Sequence, residues 1–201
     1  MTKAKVLLFD LGGVLVDGAG LQMLPRLMAR PLAAEDLRRK WVTSPAVVRF
    51  ESGRCTSQEF AAAFIEEWGL QIGHEAFLDE FRSWVKGAYP GTAELLAELR
   101  QRHTLACLSN TNAVHWERVV KMKELEPVLE RAFASHELGG MKPAVDVFAR
   151  VVEKLGCEAG EVAFFDDGPE NVDGARRAGL SAHQTLGPEH LRTVLVDLGL
   201  L

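Results

Sequence analysis

The chain opens on an unbroken apolar run, Val6-Leu7-Leu8-Phe9, that stops at Asp10. A short run of branched and aromatic residues followed at once by glycines predicts a buried strand over residues 3–10, starting at Lys3. From about residue 18 to 87 the spacing becomes helical. Leu21, Leu24, Leu27 and Met28 form one set, Phe60, Ala63, Phe64 and Trp68 a second, and Phe77, Phe81 and Trp84 a third. Residues at such intervals share one face of a helix. No strand signal of comparable strength interrupts this stretch, so an all-helical insert is expected there. Glycines at both crossings, residues 17–20 and 87–91, suit hinges.

From Tyr89 onward strands and helices alternate. Strands are predicted at 104–108, 132–134, 162–165 and 181–184. Helices are predicted at 92–102, 114–123, 143–155, 170–178 and 189–198. Thr92 is the expected cap of the first of these helices, after the breaker Pro90-Gly91, and Gly156 and Gly179 end two others. Alternation of this kind implies an α/β fold: a Rossmann-like parallel sheet with helices on both faces. The expected division is a core of residues 1–17 and 88–201 and a helical unit of residues 18–87.

Composition narrows the function more than the fold. With 201 residues there is room for one full core plus a small accessory unit. A net charge of -5 leaves no basic field, which argues against nucleic acid and against anionic membrane surfaces. An anionic substrate would need a local cation. No apolar run approaches the roughly 20 residues of a membrane span. Lys3 and Lys5 precede the first apolar run, but it ends at Asp10, too short for a secretory signal. Cys55, Cys107 and Cys157 are odd in number and widely spaced, so reduced thiols and a cytoplasmic location are expected. Oligomeric state is not legible.

The candidate chemistry lies at strand ends. Asp10 follows the first strand. Leu108-Ser109-Asn110-Thr111-Asn112 follows the second. Gly140-Met141-Lys142-Pro143 precedes a helix, and Phe164-Phe165-Asp166-Asp167-Gly168-Pro169-Glu170-Asn171 ends a later strand. Taken singly, Asp10 reads as a turn aspartate, Ser109-Asn110 as a turn, and Lys142 as a surface lysine. Asp166 and Asp167 are harder to explain that way. Adjacent carboxylates repel, and hard oxygen ligands at a strand end suit Mg²⁺.

In this order, the four segments resemble the motifs of the haloacid dehalogenase (HAD) superfamily, most of whose members are phosphatases. The likeness covers nearly the whole chain and is similar in detail to the glucose-1-phosphate phosphatase group. It implies a Mg²⁺-dependent hydrolase of a small phosphorylated metabolite, such as a sugar phosphate. It implies that Asp10 is the nucleophile and that Ser109, Asn110 and Lys142 bind the phosphoryl group. Asp10, the Gly12 carbonyl and Asp167 would hold the metal, with Asp166 and Asn171 behind them. The insert corresponds to a helical cap of the family's first type.

Gly12 departs from the pattern. Most phosphatases of the family carry there a second aspartate, which protonates the leaving group and activates water. Its absence leaves two other readings open: a metal-independent 2-haloacid dehalogenase, or a non-catalytic binding protein that keeps the fold. Dehalogenases need no metal, so Asp166-Asp167 favours the phosphatase. Without the second aspartate, rates should fall steeply with leaving-group pKa unless another residue supplies the acid. His115 and Glu51 are candidates, although nothing in the sequence sets either within reach. Gly12→Asp would test this, provided the backbone there tolerates a side chain.

Substrate contacts are expected from Arg49 and Arg54 in the cap and from His115 at the mouth, against the alternative of solvated surface residues. Residues 49–60 look like a loop leading into a helix, with Ser57 as its cap. The four tryptophans read as core or interface residues, and the remaining histidines lack metal-ligand spacing.

Overall fold

The computed structural model of the protein describes residues 4–18 and 20–201. Lys3 and Ala19, in the expected first strand and first crossing, lie outside them. Five strands form one parallel sheet: β1 (Val6–Phe9), β4 (Thr104–Ser109), β5 (Ala132–Ala134), β6 (Val162–Asp166) and β7 (Ser181–Gln184). Their order is β5-β4-β1-β6-β7, so β1 is central, with Val6 registered against Thr104 on one side and Val162 on the other.

Alternate residues feed two separate cores. Leu7, Phe9, Leu105, Cys107, Ala163 and Phe165 join the cluster on one face, which includes Leu95, Leu99 and Leu191 from flanking helices. Val6, Leu8, Ala106, Leu108, Val162 and Phe164 join the other, with Val147, Phe148 and Val151. Helices thus cover both faces, which explains why these strands read as continuous apolar runs. The carboxyl ends of all five strands share one rim, where open parallel sheets bind ligands.

Between β1 and β4 the chain forms helices Ala34–Thr43, Pro45–Glu51, Ser57–Trp68 and His74–Arg82, with short turns before them. They close a third core of Leu37, Phe50, Phe60, Phe64, Trp68, Phe77, Phe81 and Trp84. Phe50 stacks on Phe60 at 4.3 Å between ring centroids. Val114 of the helix Ala113–Val119 also enters this cluster, so the helical layer packs onto the sheet domain beside the rim.

Several local expectations need correction. The insert is not wholly helical: β2 (Val16–Gly18) and β3 (Val85–Ala88) pair antiparallel at its base, with a register shift at Asp17/Gly18. The ribbon is too short for a period-2 signal to register. Residues 49–60 do lead through a loop into a helix, but the loop is shorter than expected: Arg49 belongs to the helix Pro45–Glu51 and only residues 52–56 are irregular. Ser57 is the first helical residue; the cap is Thr56, whose hydroxyl accepts from the Glu59 amide in a reciprocal box. Thr92 is likewise inside its helix, capped by Gly91, and its buried hydroxyl donates to the Leu15 carbonyl.

Candidate active site

Asp10, Asp166 and Asp167 meet at the rim. Carboxylate oxygens of all three lie within 4.8 Å of one another. Asp10 leaves the sheet directly after β1, its amide donating to the Phe165 carbonyl at 2.8 Å. Its Oδ1 accepts from the Leu11 amide at 2.7 Å. The chain then turns sharply, with the Gly13 amide on the Val16 carbonyl and the Val16 amide on the Leu11 carbonyl. Gly13 has φ +75°, and a Cβ there would stand 2.8 Å from Asp167 Oδ2. Glycine is therefore required at 13 on both counts. Gly12 is different. It has no left-handed backbone, and a Cβ on it would meet nothing within 4 Å. A side chain at 12 is tolerated, contrary to the concern raised by its sequence context.

Lys142 is the local cation. Its side chain is wholly buried, with Nζ 2.6 Å from Asp166 Oδ2 and 3.0 Å from Asp10 Oδ1. Burial by itself would lower the ammonium pKa, but Asp10 and Asp166 outweigh it and hold it above the ordinary lysine value. Asn110 fixes the loop that carries it. The Asn110 amide donates to the Lys142 carbonyl and accepts from the Lys142 amide, both at 2.9 Å. The Asn110 side chain is thus engaged in holding Lys142. Ser109, at the end of β4, keeps its hydroxyl beside the cavity that Asp10 and Gly12 line.

Asp166 is fully enclosed. Oδ1 accepts from the Gly168 amide at 2.8 Å and from Asn171 Nδ2 at 2.9 Å, while Oδ2 takes Lys142. Asp167 is half-buried, and no side-chain hydrogen bond to its carboxyl is present among the described residues. The pair therefore divides: one carboxylate is committed to protein, with Asn171 behind it, and the other faces open space. Burial pushes Asp10 up from the usual carboxylate range, opposed by Lys142 and reinforced by Asp166 and Asp167. Burial and then Asp166 raise Asp167 likewise, against Lys142 and Arg38. One buried lysine does not neutralise three acids, so the donor set fits a hard divalent cation, which would restore Asp10 to its ionised form.

Two cavities flank this cluster. One, of about 220 Å³, is lined by Asp10, Gly12, Ser109, Thr111, Trp84 and His115. The other, of about 640 Å³, is lined by Glu51, Arg38, Arg39, Lys142 and Asp167 among others. Trp41 and Asn110 border both. Two tryptophans of the insert, Trp41 and Trp84, are therefore walls of the site as well as part of its packing. Arg49 and Arg54 are exposed and border neither cavity. The arginines at the site, Arg38 and Arg39, come from the helix Ala34–Thr43, where polar spacing alone gave no sign of them. His115 does reach the mouth, but it is spoken for. Nε2 lies 2.8 Å from the Phe81 carbonyl, which can only accept, so Nε2 carries the proton and Nδ1 receives the Asn112 amide at 3.3 Å. Burial lowers its pKa to about 4, leaving a neutral ring stacked on Phe81.

Glu51 also carries a raised pKa, about 7, through burial partly offset by Lys142. A carboxyl raised on folding stabilises fully below its unfolded pKa, near 4, and that contribution is lost as pH rises through the folded value. Asp10, Asp167 and Glu51 all act in this sense; the lowered pKa values of His115, His136 and His183 oppose them below about pH 6.5, but the three carboxyls in one site dominate. The metal-free protein is accordingly expected to melt higher at about pH 5 than at about pH 8, the reverse of ordinary acid denaturation. Circular dichroism melts in EDTA check this, and a melting point that falls on acidification over that range contradicts it.

A sequence profile of haloacid dehalogenase-like hydrolases matches residues 4–179. D-ribitol-5-phosphate phosphatase of Bacteroides thetaiotaomicron is 25% identical over 191 residues, covering 90% of this chain and 91% of its own. A phosphatase of Mycobacterium tuberculosis is 25% identical over 187 residues, covering 87% and 84%. The crystal structure of a HAD family enzyme of B. thetaiotaomicron, in complex with magnesium and inorganic phosphate, superposes with a TM-score of 0.74 at 25% identity, covering 90% of this chain and 94% of that one. L-2-haloacid dehalogenase of Xanthobacter autotrophicus superposes at 0.66 with 24% identity, covering 96% and 83%, and so shares the fold. Among the described residues no helix is long and apolar enough to cross a membrane. The chain belongs to the haloacid dehalogenase-like hydrolase family.

Proposed function

We propose that the protein hydrolyses a small phosphate monoester, with a sugar or polyol phosphate as the first choice. The observation that carries this is the meeting of three carboxylates around one buried lysine, with Ser109 beside them. Asp10 attacks phosphorus and forms an aspartyl-phosphate, which water then cleaves. Lys142 stands against the nucleophile and stabilises the negative charge of the transferring group. Ser109 binds a phosphoryl oxygen. Asp10, Asp167 and the Gly12 carbonyl hold Mg²⁺, which supplies further charge neutralisation when bound. Asp166 and Asn171 hold Lys142 and the loop in position. Residues 18–87 act as a cap that covers the substrate. The relatives named as phosphatases and the larger cavity support a phosphorylated metabolite as substrate. The three free cysteines fit a reducing cytoplasm.

The test is a panel of phosphate esters with Mg²⁺ or with EDTA. Turnover that EDTA abolishes supports the reading. Chloride release from a 2-haloacid without metal would replace it with the dehalogenase, and ligand binding without any turnover would replace it with a binding protein.

The two adjacent acids should separate cleanly. Asp167→Ala is expected to raise the Mg²⁺ concentration needed for activity while the melting point in EDTA holds. Asp166→Asn is expected to lower that melting point, because it loosens Lys142, and to weaken metal use only about 10- to 100-fold through lost orientation. Metal titrations and melts on both variants decide it. Matching behaviour of the two would refute the division of roles.

A further inference from the structure

Gly12 offers no acid for the leaving group, and His115 has both ring nitrogens engaged. Glu51 is the remaining candidate, and its setting is unusual. The residue is only 8% exposed, yet no hydrogen bond or ion pair to its carboxyl is present among the described residues. Its carboxyl oxygens are not fully enclosed, so the carboxyl stays open to solvent. It borders the larger cavity, on the same wall system as Lys142, Asn110 and Asp167.

Its backbone is anchored to the sheet domain. The buried Ser135 hydroxyl, just beyond β5, donates to the Glu51 carbonyl at 2.6 Å. Two residues on, Gly53 adopts φ +70° and lies so close to the His136 carbonyl that a Cβ would come within 2.1 Å of it. The loop from the cap is thus seated on the rim, and seating it brings the Glu51 side chain to the cavity.

We propose that Glu51 is the general acid and base of this enzyme, delivered by the cap in place of the missing second aspartate; this inference rests on the phosphatase reading above. In the first step an Asp10 carboxylate oxygen bonds to phosphorus, and the bond from phosphorus to the ester oxygen breaks. The departing oxygen takes the electron pair and the Glu51 proton, and leaves as the alcohol. In the second step water attacks phosphorus and gives a proton to the Glu51 carboxylate. The phosphorus–Asp10 bond breaks, its pair returns to Asp10, and inorganic phosphate departs. The sum is ester plus water to alcohol plus phosphate.

The charged groups facing Glu51 across the cavity are Lys142, Arg38, Arg39, Glu35, Asp167 and Glu170. Burial, opposed by Lys142, leaves the Glu51 carboxyl partly protonated near neutral pH, the condition in which one group can serve both steps.

The experiment compares wild type with Glu51→Gln on p-nitrophenyl phosphate and on a primary alkyl phosphate, both with Mg²⁺. Gln is isosteric and keeps the Ser135 contact to the backbone. Wild type should show a shallow dependence on leaving-group pKa. In single-turnover measurements of the first step, Glu51→Gln should lose about 10²- to 10⁴-fold on the alkyl ester and less than about tenfold on the aryl ester, whose oxygen leaves without a proton; on the aryl ester a burst should then give way to a slowed steady rate, because water attack has lost its base. Equal losses in the first step on the two esters, or no loss in it on the alkyl ester, would overturn the assignment of Glu51 while leaving a phosphatase. Failure of wild type to cleave either ester, or any other phosphate, would instead remove the phosphatase reading itself.

Discussion

Asp10→Asn is expected to fold, to bind, and to lose activity by at least about 10⁴-fold, the scale seen when a covalent nucleophile is removed. The substitution keeps an oxygen for the Leu11 amide and for Lys142. It removes the charge that attacks phosphorus. The same change should help stability. Asp10 is buried beside Asp166 and Asp167, and only one lysine balances the three. Removing one negative charge leaves Lys142 paired with Asp166 and relieves the repulsion. In EDTA, Asp10→Asn should therefore melt at or above wild type, so activity and stability move in opposite directions. Steady-state assays and melts on the same preparation check both. Near-wild-type turnover, once deamidation is excluded by mass spectrometry, would end the covalent mechanism.

Lys142→Met has the largest expected effect on stability. Methionine preserves an unbranched apolar stem of similar length beside the Phe164 ring. It leaves Asp166 and Asp10 buried without their cation. Breaking a buried pair by removing one partner costs about 3–5 kcal/mol. For a chain of this size each kcal/mol moves the melting point about 2–4 °C, so a fall of roughly 6–20 °C is expected. Activity should fall by at least about 10²- to 10³-fold, as for the loss of a preorganised charge stabiliser. Protonating the stranded acids relieves the defect, so the stability gap should narrow as pH falls from about 8 to about 5. A melting point within about 2 °C of wild type at pH 8 would mean that the lysine is not carrying the charge of this cluster.

Much of this site was legible before the structure because its residues stand directly after apolar runs. Asp10, Ser109 and Asp166 are fixed by where β1, β4 and β6 end, and burial patterns report those ends well. The division between Asp166 and Asp167 came only from the resemblance to the family, because adjacent acids at a strand end look alike in sequence. What the sequence hid depends on contacts between distant elements. Nothing local marks Ser135 as the residue that seats the Glu51 loop, or Arg38 and Arg39 as the arginines near the cavity in place of Arg49 and Arg54. Asn110 was read by its position beside Ser109, whereas its amide is spent on a loop thirty-two residues away. The ribbon of β2 and β3 escaped notice because three or four residues cannot show a period. Thr92 and Ser57 were each placed one residue out because a helix start chooses among adjacent polar residues by geometry.

The open space at Gly12 bears on the history of the enzyme. Glycine and aspartate codons can differ by a single base, and a Cβ at that position would meet nothing within 4 Å. An acid at this position lies one mutation away, and the backbone there leaves room for the start of its side chain. Its absence is therefore not a packing compromise. An acid built into the floor of the site is available to any ester that reaches the nucleophile, with the cap open or shut. An acid carried by the cap is available only when the Glu51 loop is seated on Ser135. Under that arrangement a phosphate ester too large to let the loop seat is held without being cleaved, and selectivity becomes a property of closure rather than of the catalytic floor.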